Sequence, residues 1–227
     1  MKIISIIPAR GGSKSLPLKN IVTICGHPLI SWIIKASLNS KMISKTFVST
    51  DSIIIEKIAK RYGAEVIWRP EEISGDSASS ESALLHVLET LREKEGYVPD
   101  YIVFLQCTSP LTSTEDIDNC IKKLLEENAD SATTVTRFHY FIWKIKKDNG
   151  AVGINHNKKF RPRRQDRDPQ YLETGAVYVM KTEGFLIHKH RFFGKTVLSE
   201  MPEERVLEID EPYQLQIAEH RLREIIK

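Results

Sequence analysis

The sequence predicts an α/β protein whose mostly parallel sheet carries helices on both faces. Short buried strands alternate with longer amphipathic helices along most of the chain, as in parallel sheets that are covered on both sides. The chain has 227 residues and is 41% hydrophobic, enough for a full core. We find no internal repeat, low-complexity tract or flexible linker. These observations favour one domain with a small appendage.

The predicted elements follow in order. Strands are expected at 2–8, 46–49, 65–68, 101–105, 131–136 and 175–180. Helices are expected at 28–39, up to 62, at 79–94, up to 128 and at 212–227. Asp51 or Ser52 can cap the second helix, and Gly63 suits a left-handed residue after it. Ser113 can cap the fourth helix, with Asp116 in its first turn.

Residues 137–171 break this alternation. They are aromatic, basic and rich in Asn and Gly, and about 35 residues is too long for a plain loop. We therefore assign 1–136 and 172–227 to the α/β domain and treat 137–171 as an excursion from the sheet.

Composition excludes several classes of function. There are 33 Lys+Arg and 30 Asp+Glu, a net charge of +3, which is too weakly basic for a broad nucleic-acid surface. No apolar run reaches about 18 residues, and Pro8 and Arg10 interrupt the apolar start, so we expect a cytoplasmic protein without a membrane partner. Three cysteines without a C-x-x-C pair predict free thiols. The i,i+2 spacing of His188 and His190 does not favour a metal site.

The loop after the first strand has the composition of an anion site. In open α/β sheets, ligands bind outside the carboxyl ends of the strands. Two glycines there allow close backbone approach, three cations supply charge and serine hydroxyls add donors. The spacing is neither that of a Walker A loop nor G-x-G-x-x-G, and a solvated surface turn is the alternative. The candidate residues are Ala9, Arg10, Gly11, Gly12, Ser13, Lys14, Lys19 and Asn20.

Six motifs at successive strand ends resemble the acylneuraminate cytidylyltransferases, the CMP-sialic acid synthetases and their relatives. They are 8–14 with Lys19-Asn20, Ser49-Thr50-Asp51, Arg69-Pro70 with 76–80, 105–111, 161–166 and 174–178. The resemblance covers nearly the whole chain. It implies a nucleotide-diphospho-sugar transferase-like, Rossmann-like fold. It also implies that 137–171 is a dimerisation arm, in a homodimer whose active sites are shared between two chains.

The resemblance implies a CTP site at the first loop. Arg10 and Lys14 would hold the phosphates, and Lys19 and Asn20 would reach the triphosphate and the ribose or base. The cytosine edge offers acceptors at O2 and N3 and a donor at N4, which suits an arginine and backbone amides. These would come from Arg69 and from Ala78, Ser79 and Ser80. A packing or surface cation is the alternative for Arg69.

The resemblance also implies an acceptor site for a sugar acid. Gln106 would contact sugar hydroxyls beside Thr108 and Ser109, because an amide both donates and accepts. An acyl substituent would enter a hydrophobic pocket, although ordinary core is the alternative for its phenylalanines. The remaining candidates are Tyr178, Phe192 and Phe193 in that pocket, Arg164 for a carboxylate or phosphate, and Lys144 from the partner subunit.

Glu208 and Asp210 are the candidate metal ligands. Their side chains share one face of an extended segment, and two carboxylates suit Mg²⁺, with Mn²⁺ as the alternative ion. The family pattern is Asp-x-Asp, so Glu208 departs from it and we expect it to contact the metal through water. A surface acid is the alternative for Glu208.

The resulting hypothesis is a cytidylyltransferase that couples CTP to a nine-carbon 2-keto sugar acid of the sialic acid type. Arg10, Lys14, Lys19 and Asp210 would be the catalytic residues, and no general base is identified. The alternative acceptors are legionaminic, pseudaminic and deaminated sialic acids. Less favoured are the eight-carbon acid KDO, whose enzymes differ at Lys14 and at Lys19-Asn20, and an idle nucleotide-binding scaffold.

Overall fold

The computed structural model describes residues 1–12, 16–76 and 78–226. Its strands are β1 (Ile3–Pro8), β2 (Thr23–Ile24), β3 (His27–Pro28), β4 (Lys45–Thr50), β5 (Glu65–Trp68), β6 (Tyr101–Leu105), β7 (Ser131–Phe138), β8 (Trp143–Ile145), β9 (Ala151–Gly153), β10 (Gln170–Lys181) and β11 (Thr196–Glu200). Its α-helices are α1 (Leu29–Leu38), α2 (Ile53–Arg61), α3 (Ser80–Glu95), α4 (Thr114–Glu126), α5 (Thr182–His188) and α6 (Pro212–Ile226).

A seven-stranded sheet forms the centre of the molecule, in the order β11-β7-β10-β6-β1-β4-β5. β10 runs antiparallel to β6 and β7, and the other neighbouring strands pair in parallel. The mostly parallel α/β fold is therefore confirmed. The carboxyl ends of β1, β4, β5 and β6 lie at one edge of the sheet, where ligands bind in open α/β sheets.

Helices cover both faces of the sheet, as predicted. Alternation along β1 places Ile3 and Ile7 in the core that α1, α2, α4 and α6 complete. Ile4 and Ile6 point into the opposite core, where α3 and α5 pack. Continuous apolar strands are expected where a sheet is buried on both sides.

Local signals set the starts of the helices that border the site. Ser52, rather than Asp51, caps α2 by accepting from the amide of Ile55. Ser113 and Asp116 form a capping box on α4. Gly63 follows α2 with a φ of +94°, which favours glycine. These side chains fix where the chain leaves a strand and enters a helix.

Several elements were not predicted from the sequence, among them the short strand pairs β2–β3 and β8–β9. The seven-residue helix α5 and the edge strand β11 occupy a region that the sequence left unassigned. β7 and β10 also extend further than expected, so both ends of the predicted 137–171 segment lie in the main sheet.

The rest of that segment, residues 139–169, is called the arm below. It contains the antiparallel pair β8–β9, in which Lys144 faces Val152. Asn155 ties the arm together, accepting from the amide of Ile142 and donating to the carbonyl of Tyr140. Several large apolar side chains of the arm are exposed, including Ile145 and Phe160. Among the described helices, none is long and apolar enough to cross a membrane.

Candidate active site

The first loop is fastened to the end of β4. The amide of Ala9 donates to the carbonyl of Ser49 at 2.9 Å, and the amide of Gly11 donates to Oδ1 of Asp51 at 2.7 Å. A Cβ added at Gly11 would lie 3.0 Å from the Cβ of Ser52, which explains the glycine. Because the amide of Gly11 already donates to Asp51, the contacts with an anion that we expected of this loop would come from its other donors. Ser13 and Lys14 lie outside the described residues.

Cations of this loop meet acids from distant parts of the chain. Arg10 forms an ion pair with Asp76 at 2.8 Å, and the side-chain amide of Asn20 donates to the carbonyl of Arg10 at 2.9 Å. Lys19 Nζ lies 2.9 Å from Oδ1 of Asp210, a residue 191 positions later. The predicted phosphate loop and the predicted metal ligands therefore meet at one place.

Arg69 is buried at the end of β5, with only 5% of its surface exposed. Its Nε donates to Oγ of Ser49 at 3.1 Å and its Nη2 donates to the carbonyl of Ser49 at 2.6 Å. Burial lowers the pKa of Arg69, and Arg10 lowers it further while Asp51 opposes the change. An arginine nevertheless stays charged in proteins. These two bonds hold the guanidinium rigidly against Ser49, at the end of β4. The alternative role expected for Arg69, that of a packing cation, is consistent with this burial.

The start of α3 supplies backbone donors to the same edge. The amide of Ala78 is not among them, because it already donates to the carbonyl of Gly75 at 3.1 Å. Oγ of Ser79 caps the helix by accepting from the amide of Ser82. Ser80 is the first helical residue. The free amides of a helix N-terminus and its dipole suit an electron-rich group.

A second cluster lies at the end of β6. Oγ1 of Thr108 lies 3.5 Å from Oε1 of Gln106 and 3.4 Å from Oε1 of Glu208. Gly175 has a φ of +70°, and a Cβ there would lie 3.3 Å from Glu208 and 3.4 Å from Gln106. The hydroxyl of Ser109 is buried and has no hydrogen-bond partner among the described residues.

Asp210 lies close enough to Glu208 to influence its ionisation. Burial raises the pKa of Glu208, Asp210 raises it further, and Thr108 and Lys19 act against both. In the described part of the chain, no group of three or more acids, histidines or cysteines could enclose a metal. Two carboxylates without a protein cage fit Mg²⁺, which is usually held by one or two carboxylates together with substrate phosphates.

Tyr178 and Phe192 come together as predicted residues of the pocket. The buried ring of Tyr178 stacks on Phe104 at 5.2 Å and meets Phe192 edge-on at 5.9 Å. Its hydroxyl donates to Oε1 of Glu173 at 2.5 Å. Burial, followed by this bond, raises the pKa of Tyr178 to about 12. Phe193 instead stacks on His188 beside α5, with ring centres 5.2 Å apart.

A cavity of about 460 Å³ opens next to this pocket. It lies between the start of α3 and the loop after α5, and all of its lining residues except Phe192 are polar or charged. Its lining residues are Ser79, Glu81, Glu173, Lys189, His190, Arg191 and Phe192. Of these, only Ser79 and Phe192 were predicted from the sequence. There were only weak grounds in the sequence for predicting Arg191 and Glu173 as site residues. Arg191 directly precedes Phe192, and Glu173 directly precedes the motif at 174–178.

The remaining predicted site residues, Lys144 and Arg164, lie on the arm. Lys144 is exposed on β8, and Arg164 is exposed in a 3₁₀ turn over Arg164–Asp166. Arg164 lines a cavity of about 250 Å³ with Arg137 and Arg167. Nη1 of Arg167 donates to the carbonyl of His139 at 2.6 Å.

Comparison with known proteins identifies the family. The cytidylyltransferase family profile matches residues 4–219. The N-acylneuraminate cytidylyltransferase of Oncorhynchus mykiss is 36% identical over 225 residues, which are 97% of this chain and 50% of the relative. Form A of the Danio rerio enzyme is also 36% identical, over 97% of this chain and 50% of its own. The chain thus spans about half the length of these relatives.

A second kind of relative matches end to end. The pseudaminic acid cytidylyltransferase of Campylobacter jejuni subsp. jejuni is 30% identical over 221 residues, which are 96% of this chain and 95% of the relative.

Solved structures share the fold at low sequence identity. A CMP:2-keto-3-deoxy-manno-octonic acid synthetase in complex with CTP superposes with a TM-score of 0.71 and 17% identity, covering 99% of this chain and 100% of the other. The 4-diphosphocytidyl-2C-methyl-D-erythritol synthase of Anaerococcus prevotii gives a TM-score of 0.70 and 14% identity, with 98% of each chain covered. With a family profile matched over nearly the whole chain, the protein belongs to the cytidylyltransferase family.

Proposed function

We propose that the protein transfers CMP from CTP to the anomeric hydroxyl of a nine-carbon 2-keto sugar acid and releases pyrophosphate. The observation that carries this proposal is the contact between Lys19 and Asp210 at 2.9 Å, which joins the glycine-rich basic loop to the pair of carboxylates. Phosphoryl transfer depends mainly on positioning the reactants and on neutralising charge. Where Lys19 meets Asp210, the site offers cations for phosphate oxygens and carboxylates for a metal ion.

The nucleotide would bind along the ends of β1, β4 and β5. Arg10 and Lys19 supply positive charge for phosphate oxygens, and both now contact carboxylates that a triphosphate would compete with. Lys14 belongs to the same proposed group on the strength of its place in the motif. Arg69, Ala78, Ser79 and Ser80 lie where a base could meet a guanidinium and helix amides.

The reaction needs no covalent enzyme intermediate. The oxygen of the anomeric C2 hydroxyl attacks the α-phosphorus, and the bond from this phosphorus to the oxygen bridging to the β-phosphate breaks. Pyrophosphate leaves with that electron pair, and the hydroxyl proton passes to solvent or to a base that we do not assign. Arg10 and Lys19 would stabilise the charge that moves onto the leaving group.

Glu208 and Asp210 would hold the metal, Mg²⁺ or Mn²⁺. When bound there, a divalent ion supplies Lewis-acid stabilisation of phosphate oxygens. Asp210 would be a direct ligand because it is exposed and already binds a cation, Lys19. Glu208 is more enclosed and contacts Thr108, which fits contact through water.

The acceptor would bind beyond β6, next to Gln106, Thr108 and Ser109. A sialic-acid-type acceptor is supported by the two fish relatives at 36% identity, whose names specify an N-acylneuraminate. Pseudaminic acid is a second candidate because that relative matches this chain over 95% of its own length. The pair formed by Tyr178 and Phe192 would take an acyl substituent.

The arm would complete this site in a homodimer. Lys144 and Arg164 are exposed and basic, and they would reach the sugar acid of the partner subunit. A cytoplasmic location likewise stays a prediction from the sequence.

The test is to incubate the protein with CTP, Mg²⁺ and a panel of nine-carbon keto acids, and to measure pyrophosphate release with mass detection of the CMP-sugar. We expect a product with N-acetylneuraminic acid. A product with pseudaminic acid alone would keep the reaction and change the acceptor. CTP binding without pyrophosphate release for any acid would contradict the proposal and indicate an idle nucleotide-binding scaffold.

A further inference from the structure

Arg191 links two parts of the molecule that belong to different proposed subsites. Its Nε donates to Oε1 of Glu81 at 2.7 Å. Glu81 lies in the first turn of α3, two residues after the Ser79 cap. Both side chains of the ion pair are largely enclosed, with 19% and 13% of their surfaces exposed. Enclosed charges of this kind are costly to separate, so the pair ties the loop after α5 to the start of α3.

The same guanidinium packs against the aromatic pocket. Its central carbon lies 4.6 Å from the ring centre of Tyr178 and 5.0 Å from that of Phe104. Cations at such distances from ring centres are attracted to the aromatic face. Tyr178 in turn donates to Glu173, which lies where the pairing of β10 with β7 shifts its register.

Glu81, Arg191 and Glu173 line the 460 Å³ cavity. The buried Tyr178 contacts both Arg191 and Glu173, so these four side chains form one continuous series. One end is the helix start that is proposed to read the base. The other end is the wall of the proposed acceptor pocket.

We propose that Arg191 is a positioning residue that couples the nucleotide subsite to the acceptor subsite, by holding the start of α3 against Tyr178. This inference rests on the proposed function for the identity of the two ligands. It assigns to Arg191 no contact with the reacting atoms. It requires that losing the guanidinium weakens the binding of both substrates, because the two walls lose their common support.

The experiment compares Arg191→Gln, Arg191→Lys and the double variant Glu81→Gln/Arg191→Gln with the wild type. For Arg191→Gln we expect the KM of the acceptor to rise about tenfold and the KM of CTP at least threefold, with kcat less affected. Arg191→Lys should lie between, since it keeps the charge but loses the planar stacking. The double variant should be no worse than Arg191→Gln alone, because the two side chains act as one unit.

The matched control is Arg223→Gln, which removes another Arg–Glu ion pair, the exposed one with Glu219 on α6. It should leave both KM values unchanged. A rise in only one KM for Arg191→Gln, or a lower melting temperature with both KM values unchanged, would overturn the coupling role. If Arg191→Gln fails to fold, Arg191→Lys supplies the same two comparisons.

The two proposals fail in different ways. If the wild type makes no CMP-sugar with any acid, the proposed function fails. In that case the affinity for CTP, measured by calorimetry without Mg²⁺, still tests the link from Arg191 to the start of α3. An affinity at least threefold weaker in Arg191→Gln would support that link, and an unchanged affinity would reject it.

Discussion

The loops at the end of the sheet and the arm both carry predicted site residues, but they hold them differently. Arg69 is almost fully buried and bonded to Ser49 by two of its nitrogens. Lys144, on the arm, is exposed on a strand of three residues. The comparison teaches that residues of the proposed nucleotide site are held by bonds within one chain, whereas the predicted site residues of the arm are exposed.

Apolar exposure makes the same contrast. The edge of the sheet is completed by buried residues such as Ile209 and Leu105. On the arm, Ile145 is 74% exposed and Phe160 is 67% exposed. Exposed apolar groups beside cations are typical of interaction surfaces, which supports the proposed dimer.

The largest effect should come from Asp210→Asn. We expect kcat at saturating CTP to fall on the order of 1000-fold, because the variant loses a carboxylate that would hold the metal beside Lys19. Pyrophosphate release over a range of Mg²⁺ concentrations measures it. Glu203→Gln, an exposed acid in a 3₁₀ turn nearby in sequence, is the control. Unchanged turnover would remove Asp210 from the mechanism.

Arg69→Met tests the residue that is held by bonds within one chain. It removes two buried hydrogen bonds that a charged group donates to Ser49, whose carbonyl keeps the amide of Ala9, so we expect a loss of about 3 kcal/mol in the free energy of unfolding. Urea unfolding measures stability, and calorimetry should show weaker CTP binding. Arg61→Met, at the end of α2, changes the same residue type without removing a buried bond. Equal losses in the two variants would refute the role given to Arg69.

Lys144→Ala should leave folding intact and lower kcat/KM for the acceptor about tenfold, the size expected for one charged contact. Mixing it in equal amounts with inactive Asp210→Asn sharpens the test. Shared sites would let mixed dimers rebuild about a quarter of the wild-type activity. No recovery after subunit exchange, or a monomer in light scattering, would show that the arm does not act across a dimer.

The smallest effect concerns pH. Burial alone would raise the pKa of Glu81, but the hydrogen bond from Arg191 outweighs it, so the pKa lies below its ordinary value of 4.5. A lowered carboxyl pKa stabilises the fold above the unfolded pKa, and that stability is lost as pH falls through the folded pKa. Glu81→Gln keeps an acceptor and should cost about 1 kcal/mol near neutral pH.

Urea unfolding of both proteins at several pH values measures this difference. It should be constant near neutrality and shrink below about pH 4.5, the ordinary pKa that this carboxyl has in the unfolded chain. A difference that is independent of pH would mean that the charge of Glu81 does not stabilise the fold.

Sequence reasoning recovered what local patterns determine. The caps Ser52 and Ser113 and the strands of the central sheet were predictable because buried strands and capped helices have strong local signatures. β11 was missed because it is a short edge strand in which Ser199 is buried and Leu198 is 42% exposed, so the hydropathy of its residues does not follow their burial. α5 has only seven residues, too few for a periodic pattern.

The same limit applies to the site. Arg10, Lys19 and Arg69 were predicted from motifs that follow strands. The position of a residue after a strand depends only on the neighbouring sequence, so it can be predicted without the fold. The pairing of Glu81 with Arg191 joins residues 110 positions apart, and only the folded chain brings them together. Likewise, nothing local indicates that Asp51 takes the amide of Gly11.

Ile209, between the two proposed metal ligands, has a consequence for how this site can vary. It is fully buried, and its amide donates to the carbonyl of Thr108 at 2.9 Å. The carboxylates on either side are therefore aimed by an apolar anchor that carries no charge. In a saturation library over 208–210, position 208 should exchange Glu for Asp readily. Position 209 should accept only large aliphatic residues. Removing one methylene there should change the affinity for the metal, although this side chain does not contact the metal.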